Sequence, residues 1–155
     1  MAIQLIPNLG AQAIGAAVQT MLATSKIRIF STGFTPSITD TEATLAAVET
    51  DFSGYPSGGY AVTAFLAPYY PPTGGVQVTS PQIDAVFTPP ESGEPVTDTV
   101  GGWFLVDTGG VLIAEGLFDA PVAMAGVGDG FPLTVALNFA TLSSLITSWL
   151  YGSQQ

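Results

Sequence analysis

Apolar positions along this chain fall mostly into short runs at period two, with a helical period only near its two ends. The clearest stretch is 101–124, GGWFLVDTGGVLIAEGLFDAPVAM. Two apolar runs, 103–106 and 111–117, flank Asp107-Thr108-Gly109-Gly110, and glycine closes tight turns without a Cβ clash, so the pattern predicts a β-hairpin. Both faces of both runs are apolar, which predicts strands covered on both sides at the centre of a β core. Residues 26–30, KIRIF, alternate, with Ile27 and Ile29 expected inward and Lys26 and Arg28 outward. Further strands are expected over 60–67, 76–80 and 83–88. The last is expected over 131–139, where Leu133, Val135 and Leu137 share a face.

The helical period occurs twice. Over 9–23, with Asn8 as cap, Ile14, Val18, Met21 and Leu22 fall on one stripe, although Gly10 and Gly15 each weaken a helix by about 1 kcal/mol relative to alanine. Over 141–151, Leu142, Leu145, Ile146, Trp149 and Leu150 form an amphipathic stripe, capped by Thr141 or Ser143 and stopped by Gly152. A helix of roughly ten residues is not stable alone. It must dock on its own domain or on a neighbouring subunit, and these five residues are candidate partner or oligomer contacts.

Between the ends, 31–59 reads as loop, with a helical turn over 45–48 that starts near Thr41 or Thr44, and with Phe52 and Tyr55 as anchors. Tyr69 and Tyr70 stand between prolines. They form either an exposed binding patch, and so two more candidate contacts, or a stiff connection packed on the domain edge, which proline's fixed φ favours. Residues 89–98 are an acidic turn and 125–130 a glycine-rich one. The expected fold is therefore mainly β, an antiparallel β-sandwich or barrel-like domain with a short N-terminal helix and a C-terminal amphipathic helix. It is read as a single domain over 1–155 with its β core at 26–139.

Composition narrows the chemistry. Twelve acidic residues stand against two basic ones, Lys26 and Arg28, so no direct nucleic-acid contact is expected, because phosphate binding needs clustered cations. The basic pair itself reads either as an ion-pair contact to an acidic neighbour or as a solvated strand face. Cys and His are absent, which excludes disulfides, thiolate metal sites and the commonest general base. No signal peptide or membrane-spanning run is read, and no membrane partner, metal or other cofactor is expected.

Paired carboxylates are the catalytic option left, from Asp107, Glu115 and Asp119 around the hairpin, but nothing in a hairpin makes them converge. The glycines 126, 128 and 130 lack the strand–helix context of a phosphate loop. Asp129 and the 91–98 stretch match no complete calcium loop. No enzyme is expected. A charge-poor surface built from Thr, Ser, Gln, Asn and backbone suits a subunit buried against neighbours.

Taken as an ordered set, AVQTMLATSKIRIF, TEATLAAVETDFSGY, YAVTAF, VGGWFLVDTGGVLIAEGLFDAPVAM and DGFPLTVALNF resemble a family of small β-rich proteins of tailed-phage and phage-like virions, over residues 14–139. The resemblance implies a structural virion protein, such as a capsid decoration (cement) or minor capsid protein or a tail, fibre or spike component. It implies major capsid or other virion proteins as partners, homo-oligomers, and location in the virion. It carries no catalytic residues over, and the helix at 141–151 is an addition to the pattern. A carbohydrate-binding module, stacking sugars on Trp103, Tyr69 and Tyr70, is the alternative from another class.

Overall fold

The computed structural model describes residues 8–70 and 75–139. Their elements run α1 (Asn8–Leu22), β1 (Lys26–Ser31), α2 (Glu42–Ala46), β2 (Tyr60–Ala61), β3 (Val76–Thr79), β4 (Ile83–Val86), β5 (Asp98–Val106), β6 (Leu112–Met124), β7 (Gly130–Leu133) and β8 (Ala136–Phe139). The fold is mainly β, and every strand pair is antiparallel. The expected helix at 141–151 lies outside the described residues. The chain divides into two compact units, so the 26–139 stretch contributes to both.

The larger unit, 24–63 with 82–133, holds a four-stranded sheet in the order β2-β1-β5-β6 and a separate β4–β7 pair. The alternation in KIRIF places Ile27 and Ile29 on one buried face. Phe30 is also fully buried, on the opposite face, because the segment after β1 folds back over that side. Phe30, Leu45, Phe104 and Val106 form one core cluster on that side, with Phe34, Val48 and Leu112 packed against it. Thr41 caps α2, accepting the Thr44 amide at 3.3 Å. That turn places Leu45 in the core, as the 45–48 pattern foresees, although the helix begins three residues earlier.

The hairpin forms as expected, but only β5 is covered on both sides. β6 is the edge strand, half-exposed along most of its length, with Leu117 56% exposed. It runs on to Met124, well past the expected end, through a large bulge. Val100 pairs with Val122 and Gly102 with Leu117, so Gly101 alone stands opposite residues 118–121. The bulge carries Pro121, which has no amide to give a ladder, and Phe118, whose ring packs edge-on against Phe131 of β7 at 5.1 Å between centroids.

The smaller unit comprises the described residues of 8–23, 64–70, 75–81 and 134–139. β3 pairs with β8, and α1 lies on β3. Gly15 permits a close approach, because a Cβ there would stand 2.8 Å from the Tyr70 hydroxyl and 2.9 Å from Pro68. Gln19 ties the helix to the same segment by donating from Nε2 to the Phe65 carbonyl at 2.7 Å.

Several expectations fail for identifiable reasons. Asn8 is inside the helix rather than its cap. Met21 is 54% exposed although it shares a stripe with the buried Leu22. The strand expected over 60–67 stops at Ala61, because the chain passes to the other unit at Ala64. There Leu66 gives its amide to Thr79 and turns its side chain outward, 54% exposed. The strand expected over 131–139 is two strands. Its alternation does bury Leu133, Val135 and Leu137, but β7 pairs with β4 and β8 with β3. At the break, buried Ser80 takes over the pairing of Val135: the Ser80 amide donates to the Val135 carbonyl at 2.8 Å, and the Val135 amide donates to Ser80 Oγ at 2.9 Å.

Candidate functional site

The most organised polar cluster of the larger unit is built on Arg28. Strand alternation points Arg28 to the face that α2 and the following turn cover, with its guanidinium 4.9 Å from the Phe104 ring centre. There it donates to Glu42 Oε1 through Nη1 and to Glu49 Oε2 through Nη2. The arginine and Glu49 side chains are each 13% exposed and that of Glu42 is 30% exposed. Glu49 accepts a second bond, from the Tyr55 hydroxyl at 2.7 Å, and that hydroxyl accepts the Ile29 amide at 3.1 Å. The chain Glu42–Arg28–Glu49–Tyr55 thus ends on the backbone of β1. The hydrogen bond to Glu49, and then that to Glu42, raise the arginine pKa above its ordinary value against the opposing effect of burial. Burial and Glu49 raise that of Tyr55, so its hydroxyl stays protonated and donating.

Beside this cluster lies a cleft of about 310 Å³, walled by Lys26, Arg28 and Glu42 on one side and by Gly58 and the Asp107–Thr108 turn elsewhere. Lys26 and Arg28 are two apart on β1 and so share a face. Gly58, at φ +75°, brings its backbone beside the ammonium: a Cβ there would stand 3.6 Å from Lys26 Nζ. Asp107 Oδ1 accepts the amides of Gly109 and Val111, both at 2.8 Å, which closes the hairpin turn. Among the described residues Arg28 has two carboxylate partners and Lys26 makes no ion pair. A second hollow of about 330 Å³ opens beside Glu49, Asp51 and Tyr55.

The ion-pair reading of the basic strand pair is thus met for Arg28 within its own chain, and the solvated-face reading holds only for exposed Lys26. Sequence reasoning misses Glu42 and Glu49, and it reads Tyr55 only as a packing anchor. The one available signal is the scarcity of cations, since a lone arginine on an alternating strand amid many carboxylates is a ready focus for them. Of the candidate contacts, Tyr69 and Tyr70 are 56% and 36% exposed, with the Tyr69 backbone paired to Gln77. Trp103 is half-buried, its indole over Gly116 on β6. Leu142, Leu145, Ile146, Trp149 and Leu150 lie outside the described residues.

The three hairpin acids occupy different surroundings. Asp107 is engaged in its turn, and Asp119 is exposed on the bulge. Glu115 faces the 37–40 loop with Oε2 buried and unpartnered. Burial raises its pKa first and the neighbouring Asp40 carboxylate second, partly offset by the Ser37 backbone. Among the described residues no three acidic side chains gather as metal ligands. Asp129 uses its carboxylate to accept the amides of Ala125 and Gly126, both at 2.8 Å, which shapes the glycine-rich turn. No helix among the described residues is long and apolar enough to cross a membrane. Comparison with protein-family models, with characterised proteins and with solved structures gave no match to this chain.

Proposed function

We propose that this chain is a structural subunit of a virion, in the first place a capsid decoration or minor capsid protein that binds and stabilises a protein shell. The sequence support is the ordered set of blocks that resembles small phage virion proteins. The structural observation that carries the reading is the placement of large apolar side chains in solvent at turns and at the sheet edge. Ile38 is fully exposed, Val127 is 83% exposed, and Val111 and Leu117 are each more than half exposed. Single exposed apolar residues are ordinary. Four on turns and an edge of the larger unit, on a chain with few charges, suit a surface made for neighbouring subunits.

The test is mass spectrometry of purified particles from the source, digested with a Glu/Asp-directed protease because trypsin has only Lys26 and Arg28 to cut at. Copies comparable in number to the coat protein support decoration of the shell. A handful per particle moves the assignment to a tail, fibre or spike component, and absence from the particle overturns the virion reading. The exposure of Tyr69 favours one second reading, a carbohydrate-binding module. Loss of glycan-array binding in Tyr69→Ala is the result that would support it.

A further inference from the structure

The two cations of this chain line one cleft. Arg28 is matched there by Glu42 and Glu49, and Asp107 holds the turn amides, so the Lys26 ammonium is the group left to meet a carboxylate. The same unit carries the complementary surface. Every residue of 88–97 is exposed, and this loop presents Glu91 and Glu94, neither of which makes an ion pair among the described residues. It is held at both ends by Ser53: the Thr88 amide donates to the Ser53 carbonyl, the Ser53 amide to the Val96 carbonyl, and the Val96 amide to Ser53 Oγ at 2.8 Å. Pro89, Pro90 and Pro95 restrict it further, so less entropy is lost when it is ordered.

Loop and cleft sit at opposite ends of β5. The loop leads into Asp98, and the cleft is formed around Val106 and Asp107. Eight residue steps of extended strand separate these ends by roughly 27 Å. The base of the acidic loop of one copy therefore stands far from its own cleft.

We propose that this cleft is the receiving half of a head-to-tail contact between copies of the chain, and that it takes the acidic loop 89–97 of a second copy. Glu91 or Glu94 of the incoming loop meets Lys26, while the Arg28 cluster keeps the cleft wall rigid. Because the two surfaces differ, the contact is heterologous and builds a ring or an open row rather than a closed two-fold dimer. The net charge of −10 on each copy opposes association at low ionic strength, and physiological salt screens that repulsion beyond about 8 Å. This inference rests on the reading of the chain as a self-associating structural subunit and adds its contact surfaces.

The experiment is a charge swap on the full chain, read by sedimentation velocity over a concentration series at physiological salt. Lys26→Glu and the double variant Glu91→Lys/Glu94→Lys each alter only exposed residues, and circular dichroism checks that both fold. Each alone is expected to weaken self-association about tenfold, since it replaces an attraction by a repulsion. Mixing the two restores association, as does combining all three substitutions in one chain. A wild-type chain that stays monomeric throughout overturns the proposal, as does a Lys26→Glu variant that associates normally. Weakening without rescue shows that the cleft takes something other than this loop and overturns it equally. A monomeric chain that is still abundant in the particle would overturn this contact while keeping the virion assignment.

Discussion

Replacing Arg28 by methionine tests how the larger unit is held together. Methionine keeps much of the apolar stem that lies against Phe104 but removes the partner of two carboxylates. Glu49, with its side chain 13% exposed, is left as a charge with little water, while Glu42 at 30% is partly rehydrated. Breaking a buried pair from one side costs about 3–5 kcal/mol. With one of the two carboxylates partly open to solvent, we expect the lower end, about 3 kcal/mol. At an m-value of roughly 2 kcal/mol/M, the urea midpoint would fall by about 1.5 M. The triple variant Arg28→Met/Glu42→Gln/Glu49→Gln removes the stranded charges, and the amide oxygen introduced at position 49 can still accept from Tyr55. It should recover to within about 1 kcal/mol of the wild type. The assay is urea unfolding at neutral pH followed by far-UV circular dichroism. A triple variant no more stable than the single one would refute the reasoning, because the loss would then not come from uncompensated carboxylates. A loss below about 0.5 kcal/mol in the single variant would place the cluster among ordinary surface pairs.

Three further outcomes are expected. Gly102→Ala puts a Cβ into the Gly116 carbonyl on the neighbouring strand and within 2.8 Å of Phe30 Cε2, so it should lose about 3 kcal/mol in the same unfolding assay. Ser80→Ala leaves the Val135 amide without its acceptor in a fully buried position and should cost about 2 kcal/mol, with faster amide exchange at Val135. Glu115→Gln should stabilise the protein at neutral pH and not below the carboxylate range. The folded-state pKa of Glu115 is raised, so its favourable contribution is present when it is protonated and lost as the pH climbs through that raised value. A stability difference that stays constant across the pH range would contradict this.

Local alternation proved the most readable signal. Ile27, Ile29, Leu133, Val135 and Leu137 are all buried as the period-two pattern requires. The Asp107-Thr108-Gly109-Gly110 turn forms where the glycines allow it, with a second determinant, the Asp107 carboxylate, closing it. Partnership was far less readable. Nothing in FPLTVALNF says that its halves join different strands, because that depends on Ser80, more than fifty residues away in the chain. The cover over β1 likewise depends on a segment that reads mostly as loop. The salt-bridge cluster draws Glu42 and Glu49 from that segment, so its carboxylates become legible only once the turn at Thr41 has brought them over Arg28. Stripe arguments failed at Met21, since a helical period identifies a face but not how much of it a neighbour will cover.

The bulge in β6 has a bearing on how copies of this chain can meet. A long edge strand with half-exposed apolar side chains would ordinarily invite another strand to extend the sheet, with no natural limit to the number added. Here the register breaks at residues 118–121, and Pro121 offers no amide, so an incoming strand finds at most a short stretch from Leu112 to Leu117. Any contact between copies is thereby left to side chains and loops, whose shape and charge select one orientation rather than the free register of an added strand.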